Sequence, residues 1–131
     1  MPIEYRYDRE RNALFCMVSS PLTTEEFEQV MGGITQSNEF PPDTRTLWDL
    51  RGIDFGNIDR AFEEQVIEIR KQFPERGRAR IALIVGDQLG LGMTRMYEIL
   101  SDDLPQETRV FTDYSEGEQW MLEQTRQGEE S

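Results

Sequence analysis

Ile3, Tyr5 and Tyr7 alternate with Glu4, Arg6 and Asp8. A period of two with one polar face predicts a strand at an edge, or one paired antiparallel. The charged segment Arg9-Glu10-Arg11-Asn12 follows as a turn. Residues 13–18 are then an unbroken apolar run, the mark of a strand buried on both faces. The two strands predict an opening hairpin. Phe27, Val30, Met31 and Ile34 recur at helical spacing and give a first helix its core face. Thr23 and Glu26 form a capping box at its start, and Leu22 is placed to staple onto Phe27. Gly32-Gly33 weakens its far end, and Phe40-Pro41-Pro42-Asp43 reads as a loop.

The same reading continues along the chain. Residues 46–50 predict a third strand. Phe62, Val66, Ile69 and Phe73 form the stripe of a second helix that Pro74 stops. Residues 81–85 are five apolar residues in a row, the best candidate for a central parallel strand, ended by Gly86. The segment Leu89-Gly90-Leu91-Gly92 is expected to be a loop opening a third helix, with Met93, Met96, Tyr97, Leu100 and Leu104 on its buried face. Residues 108–112 predict a last short strand. Ser115 and Glu118 suggest a capping box for a final helix packed by Trp120 and Met121. The order β-β-α-β-α-β-α-β-α predicts one α/β domain over residues 1–123, with a mixed, mainly parallel sheet covered by helices. Residues 124–131 read as a polar tail.

Charge narrows the partners. The net charge of -12 repels phosphate backbones and anionic membrane surfaces, so neither nucleic acid nor membrane insertion is expected. The chain has no histidine and one cysteine, Cys16. That removes the commonest general base, an internal disulfide and a cysteine metal cluster. No cofactor or metal is implied. The first residues do not read as a signal peptide and no apolar run reaches membrane-spanning length, so a cytoplasmic protein is expected.

Three features invite a chemical reading. Gly90-Leu91-Gly92-Met93-Thr94-Arg95 follows a strand and opens a helix, the context of a dinucleotide fingerprint, but Arg95 stands where the third glycine belongs. The glycines then shape a turn, or the helix start and Arg95 together clamp an anion. Arg51 follows a neighbouring parallel strand and is expected at the same sheet end. Asp49 lies between Trp48 and Leu50, so alternation turns it to the opposite face, where Arg51 or Arg95 could pair with it. Asp54, Asp59, Glu63 and Glu64 are acidic in series, and read as a solvated face at a helix start. Cys16 reads as a small core residue.

Three blocks, Leu47-Trp48-Asp49-Leu50-Arg51, Gly92-Met93-Thr94-Arg95-Met96-Tyr97 and Val110-Phe111-Thr112-Asp113 with Gln119-Trp120-Met121, resemble the SpoIIAA-like (STAS/SEC14-type) family of bacterial proteins. The resemblance extends over residues 3–122 and implies the STAS-like fold of anti-anti-sigma factors. It implies a non-catalytic regulatory module that meets a regulatory protein or a second copy of itself, through residues 51–64 with 90–95 as a further contact segment. Its SEC14-type side implies a carrier of a small anionic or lipid-like ligand, with Met93, Met96 and Tyr97 as lining. The chain departs from anti-anti-sigma factors in one respect. Where they carry a phosphorylated serine, Ile58 and Asp59 stand, and no Ser or Thr occurs between Thr46 and Thr94. Asp59 is then a fixed negative charge or a helix cap. An enzyme would have to work with Asp49, an arginine and a tyrosine.

Overall fold

The computed structural model describes residues 3–19, 23–36, 44–72, 79–102, 104 and 106–123. Five strands and four helices follow the expected order: β1 (Ile3–Asp8), β2 (Ala13–Ser19), α1 (Thr24–Gln36), β3 (Arg45–Gly52), α2 (Arg60–Lys71), β4 (Arg80–Ile84), α3 (Gln88–Leu100), β5 (Glu107–Phe111) and α4 (Tyr114–Leu122). A short 3₁₀ turn, Phe55–Asn57, lies between β3 and α2. The sheet runs β1-β2-β3-β4-β5; β1 pairs antiparallel with β2 and the other pairs are parallel. β4 is therefore an inner strand, as the apolar run at 81–85 predicts.

The hairpin closes on Asn12, whose φ of 50° is left-handed backbone that Asn tolerates better than most residues. Its side-chain oxygen accepts from Tyr7 Oη (2.8 Å) and Thr44 Oγ1 (2.9 Å), which ties the turn to the start of β3. At α1 the capping box forms as read: Glu26 N donates to Thr23 Oγ1 (3.1 Å) and Thr23 N to Glu26 Oε1 (3.3 Å).

The strand order never reverses. Successive right-handed crossovers therefore set α1, α2 and α3 side by side on one face of the sheet, and α4 folds back over the other, against β3, β4 and β5. The core divides the same way. Leu14, Cys16 and Val18 meet α1 through Val30 and Ile34. Phe15, Leu47, Ala82 and Ile84 meet Trp120 and Met121 of α4. Phe27, Met31, Val66 and Ile69 join α1 to α2.

Two helix starts differ from the sequence reading. Asp87 caps α3, accepting from Gly90 N at 2.7 Å, so Gly90 and Gly92 lie inside the helix rather than in a loop before it. Its inner face is Gly90 and Thr94, with Tyr97 half-buried and Met96 exposed. Asp113 caps α4, two residues before Ser115, because Asp113 and Glu116 already supply the cap and the third-position acid. The staple at Leu22, the loop at 40–43, Phe73, Pro74 and the tail at 124–131 fall outside the described residues.

Candidate functional site: a cavity beneath the helix layer

An α/β sheet whose order reverses opens a ligand crevice at the reversal. This sheet has no reversal, and its cavity lies elsewhere, between the sheet and α1–α3. It has a volume of about 120 Å³. The sheet contributes Val18, Thr46, Trp48, Leu50, Ile81 and Leu83. α1 adds Phe27, Met31 and Ile34, and the segment after β3 adds Ile53, Phe55 and Ile58. α2 lays Phe62, Glu63, Val66 and Arg70 across it; Thr94, Tyr97 and Gln106 close the far side.

Alternation along β3 explains half of this. Trp48 and Leu50 face the helix layer, and Trp48 packs on Phe27 with ring centroids 5.8 Å apart. The wall is mostly apolar, and α2 adds one acidic and one basic side chain to it. Glu63 is 5% exposed, and its Oε1 has no hydrogen-bond partner among the described residues. Burial, helped by the nearby charge of Asp59, pushes its carboxyl pKa up to about 7. Arg70 is 9% exposed; its Nη1 donates to Tyr97 Oη (2.6 Å) and its Nη2 to Gln106 Oε1 (2.8 Å). Burial raises the Tyr97 hydroxyl pKa, and the adjacent guanidinium partly opposes that. Thr94 Oγ1 donates to Gly90 O (2.6 Å).

Of the residues singled out from the sequence, Trp48 and Tyr97 line this cavity. Asp49 and Arg51 lie on the other face of the sheet. They pair with each other, Arg51 Nε to Asp49 Oδ1 at 2.9 Å and Nη2 to Oδ2 at 2.8 Å, and Arg51 sits over the Tyr114 ring at 5.3 Å. The guanidinium holds the Asp49 carboxyl below the usual carboxylate range. Arg51 and Arg95 thus stand on opposite faces, and Arg95 is exposed on α3. Asp59 caps α2, accepting from Phe62 N at 2.9 Å. Gly90 is buried, where a Cβ would come within 3.0 Å of Phe55 Cδ2; Gly92 is exposed and Met93 half-buried. At the start of α3 the Asp87 carboxylate accepts from Gly90 N and occupies that N–H. Cys16 is buried in the core.

The residues missed in sequence were Glu63 and Arg70. Glu63 was placed on a solvated face, yet it shares the inner face of α2 with Val66, Ile67 and Arg70. The signal was the spacing 63, 67, 70, which is the same helical stripe as the apolar residues. Among the described residues, no group of three or more acidic or cysteine side chains gathers closely enough to hold a metal ion. No helix among them is long and apolar enough to cross a membrane. Comparison with known protein families, with curated proteins and with solved structures finds no match to this chain.

Proposed function

We propose that this chain is a non-catalytic binding domain that holds a small, mostly apolar molecule between its sheet and the α1–α3 layer. The observation that carries the reading is the cavity itself: about 120 Å³ of space walled by Phe27, Trp48, Val66 and Leu83, with a buried carboxyl at one end and a buried guanidinium at the other. Well-packed cores hold few voids larger than a water, whereas ligand sites are apolar concavities with a few convergent polar groups. The resemblance to SEC14-type proteins of the SpoIIAA-like family points the same way. Native mass spectrometry of freshly purified protein, with a thermal-shift panel of small amphipathic molecules, tests it. A bound mass or a shift that Val66→Phe abolishes is expected. No bound mass and no shift with any member of the panel would overturn it.

A second reading, a module that meets a regulatory protein or its own copy, has one feature in its favour. α3 exposes Leu89, Met96 and Ile99 along its outer face, and Ile99 is 75% accessible. Helix faces of this kind mark contact surfaces. Asp59 as a permanent charge at the regulatory position belongs to the same reading. Sedimentation velocity of the wild type and Ile99→Lys checks it; a monomer in both cases, with no partner recovered, counts against it.

A further inference from the structure

We infer that the ligand of this cavity carries a protonated primary amine on a slender apolar body, with its head group against Glu63. The inference rests on the cavity being a ligand site. It follows from which polar groups of the wall are already engaged. Arg70 gives Nη1 to Tyr97 and Nη2 to Gln106, and the Thr94 hydroxyl is spent on Gly90 O. Glu63 Oε1 is buried without a partner. A buried acceptor left unmet is a standing penalty that a donor from the ligand removes.

The charge at that end selects the donor. Asp59 caps the same helix four residues earlier and adds a negative charge beside Glu63. No cation of the described chain forms an ion pair with Glu63: Arg70 is seven residues on, roughly 10 Å along the helix at about 1.5 Å per residue. An anionic head would meet like charge here. A neutral hydroxyl would satisfy the oxygen but not the charge. An ammonium does both, and the aromatic side chains Phe62 and Phe55 line the same wall. The net charge of -12 draws cations towards the protein in the first place. Arg70 then sets the orientation, repelling the head from the far end. The volume limits the body: a cavity of about 150 Å³ accepts benzene, so about 120 Å³ admits a slender body of at most about six carbons.

The test uses isothermal titration of the intact chain at pH 7.5 with n-hexylamine, 1-hexanol and hexanoate. Hexylamine is expected to bind about tenfold or more tighter than either competitor, the scale of a buried hydrogen-bonded charge pair. In Glu63→Gln its affinity is expected to fall to that of hexanol, while hexanol changes little. A carbon-13 NMR titration of the Glu63 carboxyl in the wild type gives a readout that needs no variant: hexylamine is expected to move its ionisation to lower pH. Hexanoate equal to or tighter than hexylamine, a preference that survives Glu63→Gln, or a Glu63 midpoint that hexylamine leaves in place would each overturn the amine assignment while leaving the cavity as a ligand site. Absence of binding by all three would overturn both.

Discussion

Glu63 and Arg70 face the same cavity from the same side of α2, one near each end of the helix, and no ion pair joins them. Two side chains of opposite charge type line one cavity, both buried and seven residues apart. Burying an unpaired charge is costly unless the group neutralises or finds a partner. The guanidinium finds neutral partners in Tyr97 and Gln106. The carboxyl instead holds its proton to higher pH.

That gives the first expectation. The Glu63 carboxyl titrates near 4.5 when unfolded and near 7 when folded. Between those values the folded chain binds more protons than the unfolded one, so stability falls as pH rises. The penalty is absent below about 4.5 and complete above about 7. Its full size is roughly 3 kcal/mol, from about 1.4 kcal/mol per pH unit. Asp59 and Tyr97 are the titratable groups that share an electrostatic interaction with it. Urea unfolding at pH 5 and pH 8 is expected to show the loss in the wild type and to show most of it gone in Glu63→Gln. An identical slope in both proteins would place the titrating group elsewhere.

Tyr97→Phe tests the other end of the cavity. The phenol oxygen accepts from a guanidinium that is nine-tenths buried. Removing it leaves that donor unmet, at a cost of about 1–3 kcal/mol. Equilibrium unfolding is expected to show the loss with an unchanged denaturant slope. Arg70→Met together with Tyr97→Phe should recover part of it, because the pair is then replaced by apolar groups.

The element order along the chain and most helix faces were legible in the sequence because each rests on a local rule. Ile3, Tyr5 and Tyr7 alternate at a true edge, and the run at 81–85 lies at an inner strand, each by its own period. What stayed hidden depends on which helix covers which face. Nothing in the neighbourhood of Asp49 and Arg95 states that α3 packs on one side of the sheet and Arg51 on the other; that follows from a strand order that never reverses. Glu63 was obscured for a different reason. A carboxylate beside Asp59 and Glu64 fits a hydrated helix start so well that its place in the 63, 67, 70 stripe carried no weight.

Asp49→Asn separates the two faces. The Asp49–Arg51 pair lies on the α4 side, and the Arg51 side chain is 50% exposed. Loss of the pair is expected to cost under about 1 kcal/mol, as for other solvent-screened pairs. The carboxyl pKa is lowered, so the pair's contribution is present above the ordinary Asp value of 3.8 and is lost as pH falls through the folded-state value. Ligand binding in the cavity is expected to be unchanged in this variant. A drop in affinity would mean that the α4 side takes part in the site.

Gly117 and Gly92 make a paired test of the helix placements. Gly117 lies where α4 meets the sheet, and a Cβ there would overlap Ile84 Cδ1 and come within 3.2 Å of Phe111 Cδ1. Ile84 is fully buried, so either its Cδ1 turns into packed neighbours or α4 lifts from β4. Gly117→Ala is therefore expected to lose about 1–3 kcal/mol, the usual penalty of overpacking. Gly92 occupies the exposed side of α3, and a Cβ there meets nothing within 4 Å. Gly92→Ala should gain about 0.5–1 kcal/mol from helix propensity alone. Chemical unfolding of the two variants beside the wild type decides the matter. A stabilising Gly117→Ala would mean that α4 does not sit against Ile84, and with it the division of the sheet into a closed face and a cavity-bearing face would fail.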